Sequence, residues 1–85
     1  MTASERLADA GYEDVLIFDN PSYDDALIGV TTDDRAVYDF DKMVDWLIGH
    51  SDMEEHEAVE FIEFNTIRAL PYYGAEAPIV IYINI

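Results

Sequence analysis

Negative charge is the property that most restricts how this chain can fold. Nineteen Asp and Glu residues stand against four Lys and Arg residues, which gives a formal net charge of −15 at pH 7 in 85 residues. Repulsion at this density opposes a compact state, so the acids must lie outside an apolar core. Because 51% of the residues are hydrophobic, the composition is that of a folded protein and not of an acidic disordered tail. We therefore expect one acidic domain, residues 1–85.

The composition also excludes several classes of function. The chain has no cysteine, so it can form no disulfide, thiolate metal site or cysteine nucleophile. No apolar run approaches the ~20 residues of a membrane span, and the N-terminus lacks the features of a secretion signal. These observations favour a cytoplasmic protein with no membrane partner.

The charge also indicates what the chain can bind. Phosphate contacts need Lys and Arg, so we expect no direct binding to nucleic acid and favour a basic protein as partner. The alternative is that the charge only keeps the chain soluble or adapts it to high salt.

Three segments show helical patterns. The first, residues 3–10, opens with a Thr and a Glu that are spaced as a capping box. The second, residues 41–48, has apolar side chains at helical spacing. The third should start at a capping box formed by Ser51 and Glu54 and continue to about Ala69, because Pro71 stops it. Its predicted core face consists of Ala58, Val59, Ile62 and Thr66.

Four segments show strand patterns, namely residues 15–18, 26–31, 36–39 and 79–85. The second and third should form a hairpin across a polar turn. Isoleucine occupies every odd position from 79 to 85, so one isoleucine face should lie beneath the helices. The predicted order is α-β-β-β-α-α-β, which indicates a two-layer α+β domain. We expect a mainly antiparallel four-stranded sheet with the helices packed on one face.

Catalytic chemistry finds little support in the sequence. Potential metal ligands lie close together at one place: His50, Asp52, Glu54, Glu55 and His56. The two histidines straddle a predicted helix start, so their rings need not converge. The Asp pairs at 24–25 and 33–34 lie in predicted turns, where Asp is common for its local hydrogen bonds. No serine has the context of a nucleophile elbow. We expect no metal, no cofactor and no enzyme, and keep a small metal-dependent enzyme as an alternative.

The third helical segment carries the densest negative charge. Its glutamates step by three residues from Glu54 to Glu63, and each step turns about 300° and rises about 4.5 Å, so the row winds around the exposed side. The surface could imitate the phosphates of DNA. The aspartate turns project as loops, so their carboxylates are better placed than the glutamates of the helix to imitate separate phosphates. Duplex DNA carries one charge per about 1.7 Å of axis. The predicted partner-binding acids are Asp24, Asp25, Asp33, Asp34, Glu54, Glu57, Glu60 and Glu63.

Two aromatic residues interrupt this acidic segment. Phe61 and Phe64 lie on a face partly turned away from the predicted core residues. Either they pack on the sheet or a neighbouring helix, or they form an aromatic anchor ringed by acids, as protein interfaces often do. In the second case the chain would be a small interaction module of a host or phage complex, with Phe61, Phe64 and Tyr72 at its aromatic interface, and its charge would serve solubility.

Several stretches carry a resemblance to other proteins: Tyr23–Val30, Ala36–Asp39, Met43–Val44, Phe61–Tyr72 and Ala77–Val80. They resemble a family of small uncharacterised acidic proteins that occurs in bacteria, mainly Gram-positive, and in their phages and mobile elements. The resemblance covers nearly the whole chain after Tyr12. Because that family has no assigned site to carry over, the resemblance implies no activity.

In size and charge the chain is also similar to anti-CRISPR proteins that imitate DNA. This resemblance is general, and no shared sequence motif supports it. It implies a non-enzymatic inhibitor of phage or mobile-element origin that acts in the cytoplasm of a bacterial host. The partner would be a CRISPR effector, whose basic nucleic-acid channel the acidic surface would block. The isoleucine-rich strand that ends at Ile85 also offers an edge that could pair two copies.

Overall fold

The computed structural model describes residues 1–83, which contain three α-helices and three β-strands. The helices are α1 (Ala3–Asp9), α2 (Phe40–Ser51) and α3 (Glu55–Phe61), and the strands are β1 (Leu27–Val30), β2 (Ala36–Asp39) and β3 (Ile79–Ile81). A 3₁₀ turn, Asp24–Ala26, precedes β1. After α3 the chain continues through a π-helical segment, Ile62–Thr66, and a 3₁₀ segment, Ile67–Glu76. The chain is therefore an α+β protein, as its sequence predicts.

The strands form one mixed sheet in the order β1-β2-β3 within the described residues. β1 pairs antiparallel with β2, which confirms the predicted hairpin, and β3 pairs parallel with β2. The prediction of a mainly antiparallel four-stranded sheet is wrong. β2 and β3 can be parallel because α2, α3 and the segments after them supply the long crossover connection that parallel neighbours require.

The missing strand is the predicted one at residues 15–18. This segment pairs with none of the strands in residues 1–83. Its last residue, Phe18, is buried, and its ring centroid lies 4.7 Å from that of Tyr38 and 5.7 Å from that of Tyr23. The backbone N–H of Phe18 donates to the Tyr38 hydroxyl at 3.3 Å. One ring and one side-chain hydrogen bond thus anchor the segment, and the observed order is α-β-β-α-α-β.

The alternating isoleucines do not form the predicted buried face. Strand β3 ends at Ile81, and Ile81 and Ile83 are 36% and 49% exposed. The last buried residues in the described part of the chain are Ala77 and Pro78, which lie just before β3 begins. The prediction is therefore wrong for Ile81 and Ile83, and Ile85 lies outside the described residues.

The core lies between the helices and the sheet. Its largest fully buried side chains are Tyr23, Tyr38, Met43, Leu47, Ile62 and Pro78. Helix α2 contributes an apolar stripe at helical spacing, as predicted, although Ile48 at its far end is 39% exposed. Asp39, and not Asp41, caps this helix, because its Oδ1 accepts from the backbone N–H of Asp41 at 3.1 Å.

The predicted long third helix is instead divided into three segments. Regular α-helix ends at Phe61, and in the turn that follows the N–H of Ile67 donates to the carbonyl of Ile62, five residues back. Ile62 and Thr66 are both buried, as the predicted core face requires, and Phe64 is 61% exposed. The Thr66 and Tyr23 hydroxyl oxygens lie 2.6 Å apart in a buried hydrogen bond. That bond ties the π-helical segment to the chain just before β1.

The buried hydroxyl pair predicts a coupled loss of stability. Thr66→Val should lower the free energy of unfolding by about 1–3 kcal/mol, because the Tyr23 hydroxyl is left buried without a partner. Adding Tyr23→Phe should cost less than Tyr23→Phe costs alone. Urea unfolding of the two single variants and the double variant measures this coupling, with Thr32→Val in the exposed turn as control. Strictly additive losses would contradict the coupling.

Burial of Tyr38 predicts a loss of stability at alkaline pH. Burial raises its pKa to about 12, although the Phe18 N–H that donates to its oxygen acts in the opposite direction. An unfolded tyrosine titrates near pH 10. The stabilisation by neutral Tyr38 is therefore complete below about pH 10 and is lost as the pH rises to about 12. We expect the free energy of unfolding to fall by about 2 kcal/mol across this range.

Urea unfolding at pH 9, 10, 11 and 12 measures this fall. Tyr38→Phe should show a shallower dependence, whereas Tyr72→Phe, at a residue 91% exposed, should match the unaltered chain. An equally steep fall in Tyr38→Phe would assign the effect to other groups.

Candidate partner-binding surface

The fold places nearly all of its carboxylates in solvent. Of the nineteen Asp and Glu residues, Asp39 is buried, Asp24 is half-buried and the others are exposed. These two exceptions both accept backbone hydrogen bonds at helix starts. The exposed acids lie on the helices, the turns and the segments after α3 and not on the three strands, and the field of this surface reflects the net charge of −15.

The few basic residues do little to neutralise this surface. Across residues 1–83, no Lys or Arg nitrogen lies within 4.0 Å of a carboxylate oxygen. Arg6 Nη1 donates to the carbonyl of Asp24 at 3.0 Å, and Arg35 Nε donates to that of Ala77 at 2.9 Å. The guanidinium carbon of Arg68 lies 5.8 Å from the ring centroid of Phe64. These guanidinium groups thus contact backbone carbonyls or an aromatic ring, and no carboxylate of the described residues has a Lys or Arg ion-pair partner.

The first predicted aspartate pair is divided between two roles. Asp24 Oδ1 accepts from the backbone N–H of Ala3 at 2.8 Å, at the first residue of α1. Together with the Arg6 bond to its carbonyl, this contact holds α1 against the turn before β1. Asp25 is exposed and lines a separate groove of about 310 Å³ with Lys42 and Trp46. Asp24 therefore serves the fold, and Asp25 remains available to a partner.

The second predicted pair, Asp33 and Asp34, lies in the exposed hairpin turn. The Thr31 hydroxyl donates to the Asp33 carboxylate, and this bond lowers the pKa of Asp33. Asp34 adopts a left-handed backbone conformation with φ of 63°, and its N–H donates to the Thr31 carbonyl at 3.0 Å. Turn geometry thus explains the choice of Asp at both positions. It leaves both carboxylates in solvent.

Asp34 also belongs to an acidic cluster that the sequence did not indicate. It lines a groove of about 200 Å³ with Glu13, Asp14 and Glu76. Glu13 and Asp14 are adjacent, but Asp34 and Glu76 are far from them in the chain, and no spacing rule connects the three positions. Only the packing of the hairpin turn near the 3₁₀ segment brings them together.

The glutamates of α3 do not all face the same way. Glu54, and not Ser51, caps this helix, since Ser51 is the last residue of α2. Glu57 Oε1 accepts from the backbone N–H of Glu54 at 3.2 Å, and His56 Nδ1 lies 3.6 Å from Glu54 Oε2. Glu60 and Glu63 are exposed. Glu57 is therefore held by the helix start, in a position where the macrodipole favours a negative charge.

Four of the predicted residues line one groove, which we call the Phe64 groove. It has a volume of about 330 Å³ and is lined by Met53, Glu57, Glu60, Phe61, Phe64 and Asn65. Positions 57, 60, 61 and 64 follow the i, i+3, i+4, i+7 spacing of one helix face. Phe61 is half-buried against the core, whereas Phe64 is 61% exposed. Phe61 therefore matches the interpretation as a packing residue, and Phe64 matches the interpretation as an exposed aromatic residue ringed by acids.

The ten predicted residues do not form a single site. The hairpin turn, the groove at Asp25 and the Phe64 groove are separate places, and neither Glu54 nor Glu63 lines the last of them. The sequence missed Met53 and Asn65 in the Phe64 groove. Met53 lies before α3 begins, and Asn65 reaches the groove from the π-helical segment.

Other kinds of site and relationship receive no support. Among residues 1–83, no three His, Asp or Glu side chains converge as metal ligands would. In the same residues, none of the helices has the length and apolar character needed to cross a bilayer. No family model matches the chain, and no match was found among curated proteins or solved structures. The acidic surface is therefore the feature of the molecule that bears on function, and the family resemblance stays a prediction.

The two members of the first aspartate pair should differ in their effect on stability. Asp24→Ala should lower the free energy of unfolding by about 1–3 kcal/mol, because the buried Ala3 N–H loses its acceptor. Asp25→Ala removes the same charge from an exposed position and should change the free energy by less than about 0.5 kcal/mol. Thermal and urea unfolding followed by circular dichroism compare them. Equal losses would show that Asp24 has no structural role.

Proposed function

We propose that this protein is a non-enzymatic inhibitor that binds the basic nucleic-acid channel of a partner protein and competes there with DNA. One observation carries the proposal: almost every carboxylate is exposed, and none in residues 1–83 is paired with Lys or Arg. Carboxylates without internal partners are free to attract a basic surface over long range. The same property would repel DNA and RNA themselves.

The density of this charge supports mimicry of a duplex. The longest dimension of the fold is 35 Å, so a net charge of −15 amounts to about one negative charge per 2.3 Å of that axis. Duplex DNA carries one per about 1.7 Å, and one of its helical turns spans about 34–36 Å. The protein thus offers a charge comparable to that of one turn of DNA, in a body of similar length.

Most of the predicted acids keep their place in this proposal. Asp24 is the exception, since it is half-buried and caps α1. The acids that remain are Asp25, Asp33, Asp34, Glu54, Glu57, Glu60 and Glu63. We propose a CRISPR effector in a bacterial host as the partner, because such effectors hold nucleic acid in positively charged channels.

A second candidate function is a protein-interaction module that binds through the Phe64 groove. The observation in its favour is the 61% exposure of Phe64 beside Phe61 and Met53. Exposed aromatic side chains are common anchors of protein interfaces. In this case the acidic surface would only keep the protein soluble.

Competition with DNA separates the two candidates. Labelled target duplex should be displaced from a purified CRISPR effector, and the inhibition should weaken steeply between 50 and 500 mM salt. Glu60→Lys with Glu63→Lys should weaken inhibition by about tenfold or more. Asp9→Lys with Asp19→Lys makes the same change in net charge outside the predicted surface and should have a smaller effect.

Two results would count against mimicry. Failure to displace DNA from any of a panel of effectors at 50 mM salt would remove the leading proposal. Inhibition that resists salt but is lost in Phe64→Ala would favour the interaction module.

A further inference from the structure

We propose that the Phe64 groove binds an arginine side chain from the basic surface of the partner. This inference rests on the function proposed above and names the cation that the surface selects. It also gives the exposed aromatic ring a role within a charge-driven interaction, so that the two candidate functions would share one site.

The groove combines the two kinds of surface that a guanidinium group needs. Met53, Phe61 and Phe64 supply apolar and aromatic contacts, and Glu57 and Glu60 supply carboxylate acceptors. Arginine carries a planar guanidinium with five donors in a fixed geometry and packs on aromatic faces. Lysine carries a compact, strongly hydrated charge that gains less from a ring. The composition of the groove therefore favours arginine over lysine.

The chain's own Arg68 already illustrates the contact. Its guanidinium carbon lies 5.8 Å from the centroid of the Phe64 ring, within the usual range of cation–π interactions. Arg68 is exposed, and in the described residues no carboxylate lies within 4.0 Å of it. The Phe64 ring therefore accepts a guanidinium without help from an ion pair. A partner arginine in the groove would gain the two carboxylates as well.

The carboxylates of the groove are partly preorganised. Glu57 Oε1 accepts from the Glu54 N–H at 3.2 Å, which restrains the side chain and leaves its second oxygen for a donor. Glu60 follows three residues later, about 4.5 Å further along the helix axis. Two acceptors at this spacing suit the several donors of one guanidinium. Restraint before binding reduces the entropy cost of the contact.

The size of the groove limits what it can take. Its volume of about 330 Å³ lies at the lower end of the ~300–1,000 Å³ that is typical of ligand pockets. One long side chain fits such a space. A single arginine on a basic partner is therefore the occupant that matches the volume, the charge and the apolar lining together.

NMR titrations of the isotope-labelled protein with two peptides of equal charge, nona-arginine and nona-lysine, test the inference. The arginine peptide should bind about three- to tenfold more tightly. The amide signals of Phe61, Phe64 and Asn65 should shift more with arginine than with lysine. Phe64→Leu should lower the affinity for nona-arginine to about that for nona-lysine, which abolishes this preference. Tyr72→Leu, which alters an aromatic residue that is 91% exposed and outside the groove, should retain the preference.

The carboxylates have a matched pair of variants as well. Glu57→Gln with Glu60→Gln should weaken nona-arginine binding more than Glu55→Gln with Glu63→Gln, which removes the same charge from α3 and the turn after it. Glutamine at position 57 can still accept the N-terminal hydrogen bond of the helix. Phe64 is mostly exposed, so its replacement by leucine should not disturb folding.

The outcomes separate this inference from the function on which it rests. Equal affinity for both peptides, or a preference for arginine that survives in Phe64→Leu, would overturn the arginine site and leave the charge-based inhibitor standing. Absence of binding to either peptide at 50 mM salt would overturn both.

Discussion

The packing of Phe18 against three tyrosine rings is the interaction on which the rest of the structure depends. Its ring centroid lies 4.7 Å from Tyr38, 5.7 Å from Tyr23 and 6.0 Å from Tyr73. These tyrosines belong to the sheet, to the segment before β1 and to the 3₁₀ segment near the C-terminus. Aromatic rings bury large areas, so one contact joins three distant parts of a chain whose surface charge favours expansion.

The buried tyrosines also explain why this fold has polar groups in its interior while almost all of its charged groups lie on the surface. The Tyr23 hydroxyl pairs with that of Thr66, and the Tyr38 hydroxyl accepts from a backbone N–H. In residues 1–83 no buried side-chain nitrogen or oxygen lacks a partner. The interior is therefore polar in places but nearly uncharged. The acids are left to the surface, where a basic partner can reach them.

Patterns that depend on neighbours in the chain predicted the structure well. The cap of α1, the stripe of α2 and the β1–β2 hairpin are local, and all three are confirmed. Residues 15–18 resemble a strand because four apolar residues in a row are typical of one. Their real partner is a tyrosine twenty positions away. The parallel pairing of β3 likewise depends on a crossover of about forty residues that no local pattern describes.

The candidate surface likewise contains some residues that local spacing predicted and others that only the fold brings together. Helical spacing placed Glu57, Glu60, Phe61 and Phe64 near one another, and the structure brings them to one groove. A carboxylate in a turn looks the same in the sequence whether it faces solvent or, as Asp24 does, accepts a hydrogen bond from the first residue of a distant helix. Asn65 stands four residues after Phe61 and so shares its helix face, but it was not predicted because its amide has neither the charge nor the aromatic ring of the other predicted residues.

The π-helical turn has a consequence for how such a protein can vary. A π-helical turn holds one residue more than an α-helical turn, and here it spans Ile62–Thr66. Deleting one residue from it would restore regular α-helical spacing, and the residues after the turn would keep the faces that they now show. A deletion within α3 would instead rotate every later side chain by about 100°. Natural variants should therefore tolerate the loss of one residue in the π-helical segment more readily than the loss of one residue in α3.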